Sequence, residues 1–210
     1  MAHIPDGVLS VPVLTAGGIG AAIAVVVAVR RIDDSQVPRV AILSAMFFVV
    51  SLIAVPAGPS SVHLLLSTLM GLTIGLATFP AVMIGMVLQV LLFGVGGVTT
   101  LGVNTLNIAL PAVVFGALFL PLIRRLPPRS AAVAGFICAV LSVAGTAGGV
   151  ALALMLSSSA FTPSVPIIAA SYVPLMLAEG LITAFAVGFL KRVRPETLSG
   201  PAVSQAEVTS

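Results

Sequence analysis

Long apolar stretches, broken by short polar turns, constrain this chain more than any other feature of its sequence. About 20 mostly apolar residues are needed to cross the hydrocarbon core of a membrane. The chain has 210 residues, of which 59% are hydrophobic and only 7% are charged. A soluble domain carries roughly 25% charged residues. So few charges cannot cover a water-facing surface, and the composition excludes an ordinary soluble enzyme.

Seven apolar segments account for most of the chain, and each predicts a membrane-spanning helix. Pro80 alone divides the third segment from the fourth, which makes that boundary the weakest. Seven spans leave no room for a soluble domain. We therefore predict an all-α integral membrane domain over residues 1–194, with a polar, disordered tail over 195–210. The segments are 8–29, 40–55, 61–78, 81–92, 106–123, 130–156 and 168–190.

The nine basic residues fall into three groups, which follow the first, fifth and seventh segments. With seven spans, these three places lie on the same side of the membrane. Lys and Arg favour the cytoplasmic side, so we predict an N-terminus outside and a C-terminus in the cytoplasm. The basic residues orient the helices, and the high isoelectric point therefore does not indicate nucleic acid. The groups are Arg30, Arg31 and Arg39, then Arg124, Arg125 and Arg129, then Lys191, Arg192 and Arg194.

The two histidines of the chain, His3 and His63, both fall on the outer side in this topology. A histidine near a free N-terminus can chelate a metal through the terminal amine, a backbone amide nitrogen and its own imidazole. Planar ligation by nitrogen points to Ni(II) or Cu(II). The ordinary alternatives are a solvated terminal histidine and a histidine at a helix start that caps it or packs in an interface.

The donor set of such a site depends on whether Met1 is retained. If it is, the Met1 amine, the amides of Ala2 and His3, and the His3 imidazole fill four planar positions. If Met1 is removed, the Ala2 amine, the His3 amide and the His3 imidazole fill three, and His63 supplies the other available imidazole. Initiator methionine is commonly removed before a small residue, so we favour the second arrangement as a hypothesis.

Polar side chains in and after the glycine-rich stretch at 94–104 are candidates to hydrogen-bond the backbone of residues 3–7 around the metal. The same side chains could also cap the fifth helix, and the two roles are compatible. The ordinary expectation for Asp6 is a cap on the first helix. The candidates are Thr99, Thr100, Asn104 and Asn107.

Glu179 is the only charged residue well inside an apolar segment. An ionisable residue within a membrane helix suggests a function by default. Because Glu179 lies in mid-helix, a structural hydrogen bond is the main expectation. A role in ion release or in docking a partner is the alternative.

Four motifs, in order along the chain, resemble those of the CbiM/NikM family, the substrate-binding membrane components of energy-coupling factor transporters for cobalt and nickel. The resemblance implies a helical membrane fold in a prokaryotic cell membrane, with the N-terminal segment folded into the outer mouth and with His3 and His63 as ligands. It implies a transmembrane coupling component, two cytoplasmic ATPase subunits and a small accessory membrane subunit as partners. The motifs are His-Ile-Pro-Asp-Gly at 3–7, Ser-Ser-Val-His at 60–63, Gly-Gly-Val-Thr-Thr-Leu-Gly-Val-Asn at 96–104 and Pro-Leu-Met-Leu-Ala-Glu-Gly-Leu-Ile-Thr at 174–183.

The sequence contains no phosphate-binding loop, because that motif requires a lysine after glycine and the one lysine, Lys191, follows leucine. We therefore predict a non-enzymatic capture subunit for Ni²⁺ or Co²⁺, with no cofactor beyond the transported ion. One alternative is a stand-alone secondary metal-ion transporter, which would normally carry ionisable residues along its path. The other is a membrane metalloenzyme, which would need an open coordination position.

Overall fold

The computed structural model describes residues 3–57 and 60–198, and this part of the chain is helical apart from one short β-hairpin. The strands are β1 Ala54–Ala57 and β2 Ser60–His63, and 3-10 turns cover Asp34–Gln36, Gly75–Ala77, Ser159–Ser164 and Pro195–Leu198. The helices are α1 Val11–Val29, α2 Val37–Val50, α3 Ser67–Ile74, α4 Thr78–Phe93, α5 Leu101–Arg125, α6 Pro128–Ser157 and α7 Val165–Val193.

Large apolar side chains cover the outer surface of the helices, as a lipid-facing protein requires. Phe185 is 77% exposed and Leu91 is 73% exposed. Five helical stretches of the described chain are long and apolar enough to cross a membrane, which confirms a multi-pass membrane protein. The predicted count of seven spans is not confirmed by this measure. The stretches are Val11–Val29, Ser67–Phe93, Leu101–Arg125, Pro128–Ser157 and Ser159–Val193.

The stretch from Ser67 to Phe93 reverses its direction within the bundle. Its central turn, at Gly75, lines a cavity together with Arg31 and Arg124. The loop that follows α4 instead reaches the N-terminal segment, since a Cβ on Gly96 would lie 3.9 Å from the Cβ of His3. Helix α3 therefore runs towards the basic end of the molecule and α4 runs back.

The sequence predicted that Pro80 separates these two helices, and this boundary is wrong by several residues. The chain turns at Gly75, whose φ of +53° favours glycine. Pro80 lies in the first turn of α4. An amide there has no partner within the helix, so proline is tolerated.

The β-hairpin corrects the prediction of an entirely helical domain. Helix α2 ends at Val50 and α3 begins at Ser67, so the predicted segments 40–55 and 61–78 are too long. Between them the strands pair antiparallel, with Ala54 opposite His63. Strand pairing satisfies the backbone groups of an irregular segment packed among membrane helices, which a membrane environment requires.

Close backbone contacts fix α5 against α1 and α3. A Cβ on Gly102 would lie 2.6 Å from the Cα of Gly18, and a Cβ on Gly116 would lie 2.8 Å from the carbonyl carbon of Gly71. Small residues let membrane helices approach to this distance. The crossings hold α5 directly behind the N-terminal segment.

The three basic groups meet at one end of the bundle, where they also bind the end of the described chain. Arg39 donates a hydrogen bond to the carbonyl of Thr197 (2.7 Å), and Arg124 donates one to the carbonyl of Leu198 (2.7 Å). Lys191 donates to the carbonyl of Arg124 (2.9 Å). Residues 195–198, which the prediction places in the polar tail, form a docked turn with Leu198 buried. Residues 199–210 lie outside the described part.

Candidate metal site

The two histidine rings lie side by side at the end of the bundle where the N-terminal segment meets the start of α5. This region is called the mouth. The ring centroids of His3 and His63 are 6.3 Å apart, with an angle of 50° between the planes. His3 is buried, and neither of its ring nitrogens has a hydrogen-bond partner among the described residues. Nδ1 of His63 is also unpaired there. Buried nitrogens without partners are costly, so this pair is a candidate site for a ligand that accepts their lone pairs.

The separation of the rings is within the reach of one metal ion. With a metal–nitrogen bond of about 2.0–2.1 Å, an ion can join two imidazoles whose centroids are up to roughly 6.4 Å apart. No cluster of three His, Cys, Asp or Glu side chains occurs in the described chain. Further donors would have to come from the backbone or the terminal amine. The predicted donors on Met1 and Ala2 lie outside the described residues.

Burial keeps His3 in the form that binds metals. Removal from water, followed by the proximity of His63, lowers the pKa of His3 to about 4. Its imidazole is therefore neutral at pH 7. Neutral imidazole is the form that donates a lone pair to a metal.

Asn104 and Thr100 of the α5 start hold the residue that follows His3. The amide of Ile4 donates to Oδ1 of Asn104 (3.0 Å), and Nδ2 of Asn104 donates back to the carbonyl of Ile4 (3.0 Å). The hydroxyl of Thr100 donates to the same carbonyl (2.7 Å). All of these groups are buried. The backbone beside His3 is thus fixed to α5 by three hydrogen bonds.

Asp6 makes a second attachment, to the loop before α5. Its carboxylate accepts hydrogen bonds from the amides of Val98 (3.0 Å), Thr99 (2.9 Å) and Thr100 (3.3 Å) and from the hydroxyl of Thr99 (2.5 Å). These bonds, above all the one from the Thr99 hydroxyl, lower the pKa of Asp6 below its usual range. A negative charge at a helix N-terminus also interacts favourably with the helix dipole.

The expectation that Asp6 caps the first helix is wrong. The residue before α1 is Ser10, and no side chain there makes a capping hydrogen bond. The N-terminal segment folds back towards α5, so the Asp6 carboxylate meets the amides of the loop before that helix instead.

The structure does not bring Asn107 to the N-terminal segment, which corrects its predicted role. Its side chain lines a groove between α1, α5 and α6. Its Nδ2 has no hydrogen-bond partner among the described residues. Asn107 lies about one turn further along α5 than Asn104, and no hydrogen bond joins its side chain to the described residues 3–7.

Glu179 holds the backbone that follows His63, a link that the sequence did not indicate. Its carboxylate accepts hydrogen bonds from the amide of Leu65 (2.5 Å) and, through both oxygens, from the amide of Leu66 (2.9 and 3.1 Å). Leu66 has a φ of 49°, the one positive value at a non-glycine residue in the described chain. The hydrogen bonds stabilise this unusual turn at the start of α3. His63 lies two residues before Leu65, so these hydrogen bonds let Glu179 support the position of His63.

Gly97 allows Asp6 to approach its loop, and we expect Gly97→Ala to disrupt the site. A Cβ at this position would lie 2.7 Å from the amide nitrogen of Asp6 and would also meet its carboxylate. Displaced supports typically weaken metal binding about 10–100-fold, which calorimetric titration of the purified protein with Ni²⁺ would measure. Gly148→Ala is the control, because no atom lies within 4 Å of its Cβ position. Equal nickel affinity of the two variants would show that the Asp6 contact does not hold the site.

Known proteins of similar sequence and fold are named as metal transport proteins. Residues 3–197 match the family model CbiM, described as the cobalt uptake substrate-specific transmembrane region. A metal transport protein from Haemophilus influenzae is 34% identical over 202 residues, which cover 94% of this chain and 97% of that protein. The fused nickel transport protein NikMN of Rhodobacter capsulatus is 27% identical, over 94% of this chain and 64% of its own length. The crystal structure of a transition metal transporter superposes with a TM-score of 0.73 at 26% identity, over 91% of this chain and 93% of that one.

Proposed function

Because this chain belongs to the CbiM family of cobalt uptake transmembrane proteins, we propose that it captures Ni²⁺ or Co²⁺ as the substrate-binding subunit of an ATP-driven energy-coupling factor importer. One observation carries the proposal. The ring of His3 is buried beside the half-buried ring of His63, both rings have unpaired nitrogens, and one ion can span their separation. The ion is the substrate of the protein.

The proposed donors are four nitrogens. With Met1 removed, they are the Ala2 amine, the backbone nitrogen and imidazole of His3, and the imidazole of His63. Adjacent imidazoles on a planar ion have centroids roughly 4.5 Å apart at the same bond lengths, so loading draws the two rings together from their present 6.3 Å. Planar nitrogen ligation favours nickel.

The mouth faces the outside of the cell in this proposal, and the basic end faces the cytoplasm. The clustering of Arg39, Arg124 and Lys191 at the end opposite His3 supports this orientation. Helix α1, with 19 residues, spans about 28 Å between the two ends. Helices α3 and α4 then count as two passes. The pass formed by α3 is short. The β-hairpin occupies the outer half of this pass, and α3 begins beside Glu179 in mid-membrane.

Transport across the membrane requires partners that supply energy. The chain has no phosphate-binding loop, and ion release requires the attachments at Ile4, Asp6 and Glu179 to loosen. A transmembrane coupling component, two cytoplasmic ATPase subunits and a small accessory membrane subunit would drive that rearrangement.

Uptake by reconstituted vesicles tests this function. The full chain alone should bind radioactive nickel at one ion per chain, with no accumulation inside the vesicle. Accumulation should appear when the coupling component, the ATPase subunits and ATP are added. Accumulation by the chain alone, driven by a proton gradient, would contradict the proposal and establish a secondary transporter.

A further inference from the structure

A cavity of about 430 Å³ opens at the basic end of the bundle, opposite the histidine site. It lies between α1, α2, α5 and the turn that joins α3 to α4. Three arginines, Arg31, Arg39 and Arg124, line it. No carboxylate belongs to its described lining. The ion pair found in the described residues, between Arg194 and Glu196, lies outside it.

The charged side chains that line this cavity are all positive. Three guanidinium groups of the same sign repel one another, and an anion between them removes that repulsion. Arg39 and Arg124 each use one donor on the backbone of residues 197–198, and each retains further N–H groups. The guanidinium of Arg31 has no hydrogen bond or ion pair with any described residue. Planar guanidinium groups are suited to phosphate oxygens.

The remaining walls of the cavity are largely apolar, so a free inorganic anion would match only part of it. They are formed by side chains such as Leu72, Val113, Ala117 and Leu120. A ligand that matches both parts has an anionic head and a hydrocarbon chain. The cavity volume is in the range of about 300–1,000 Å³ found for ligand sites.

We propose that this cavity binds an anionic phospholipid of the cytoplasmic leaflet. The phosphate lies among Arg31, Arg39 and Arg124, and the first part of an acyl chain lies against the apolar wall at Ala117. The rest of the lipid extends through the opening into the bilayer. Basic pockets between membrane helices are known to bind anionic head groups. The bound lipid would link α1, α2, α5 and the docked turn at 195–198, independently of the metal site.

Native mass spectrometry of the full chain in detergent tests the proposal, with phosphatidylglycerol and phosphatidylcholine as probes. The parent protein should retain phosphatidylglycerol in preference. Arg31→Gln should weaken that retention about fivefold, the contribution of one basic residue near anionic lipid. Arg30→Gln is the matched control, since the neighbouring Arg30 does not line the cavity.

A second pair of variants tests the apolar wall without a change of charge. Ala117→Phe should fill the cavity and reduce retention of phosphatidylglycerol by at least as much as Arg31→Gln. Val114→Phe is its control, because Val114 lies on the same helix, is exposed and does not line the cavity. Thermal unfolding of each variant checks that the fold is intact.

Three results would overturn the proposal. Equal retention of phosphatidylglycerol by all variants would mean non-specific attraction to basic residues. Glycerol phosphate that binds as tightly as the lipid, with no effect of Ala117→Phe, would assign the arginines to a soluble anion. Unchanged lipid retention in Arg31→Gln, combined with weaker co-purification of the coupling component, would assign the cavity to a protein partner.

Discussion

Replacement of His63 by alanine should reduce nickel affinity by at least about 100-fold. Structural metal sites with four ligands bind with about 10–16 kcal/mol, which is a few kcal/mol per ligand, and every 1.4 kcal/mol changes affinity tenfold. His63 supplies one of two imidazoles, and no third histidine exists in the chain to replace it. Calorimetric titration of the detergent-purified protein measures the affinity. Absorption spectroscopy should show the loss of the yellow colour expected of planar Ni(II).

Thr68→Val is the matched control for this variant. Thr68 is buried and lies five residues after His63, and its hydroxyl has no hydrogen-bond partner in the described chain. Its replacement should leave nickel affinity unchanged. A His63→Ala protein that binds one Ni²⁺ as tightly as the parent would refute the two-histidine site.

The terminal amine is tested on the same samples. The intact mass of the parent chain should correspond to loss of Met1, and acetylation of the Ala2 amine should abolish tight nickel binding. A chain that retains Met1 with nickel bound would contradict the proposed donor set. The role of the two histidines would then depend on the nickel affinity of His63→Ala alone.

Replacement of Glu179 by leucine should lower both the stability of the protein and its nickel affinity. The change leaves the amides of Leu65 and Leu66 without their acceptors in the buried interior. An unpaired buried group costs about 1–3 kcal/mol, so two of them cost roughly 2–6 kcal/mol. Since His63 precedes this turn, its ring should lose its position, and affinity should fall about 10–100-fold. Thermal unfolding of the metal-free protein and nickel titration give the two values.

Thr183→Val controls for a buried polar replacement on the same helix. Thr183 lies one turn after Glu179, is fully buried, and its hydroxyl has no described hydrogen-bond partner. It should therefore change neither value. Glu179→Gln keeps one acceptor oxygen and should give an intermediate result. Reduced stability with unchanged nickel affinity would show that Glu179 supports the fold without positioning His63.

Hydropathy predicted the first helix, the fourth and the later ones well, and it failed at the boundaries of α2 and α3. The segments 106–123, 130–156 and 168–190 lie within α5, α6 and α7. The hairpin at 54–63 was missed because its Pro, Gly and Ser residues indicated only a loop between two helices. Hydropathy measures transfer into an apolar surrounding, and it does not distinguish a helix from a strand packed between helices.

The sequence did not predict the partners of polar side chains when those partners lie far away along the chain. A carboxylate at position 6 could satisfy amides of the helix just after it or of a helix packed against it, and local sequence favours the nearer choice. The structure pairs Asp6 with residues 98–100. Asn104 meets Ile4 while Asn107 does not, because the two side chains project from α5 at different depths.

The sequence by itself determined that this protein lies in a membrane, that its basic residues gather on one side, and that its imidazole chemistry is confined to His3 and His63. These properties follow from composition and order, because the cost of placing a charge in hydrocarbon does not depend on the details of packing. Only the tertiary structure decided that the two rings meet, that Glu179 supports His63, and that Arg31, Arg39 and Arg124 share one cavity. Each of these contacts joins residues far apart in the chain, and which of them form depends on how closely the helices cross.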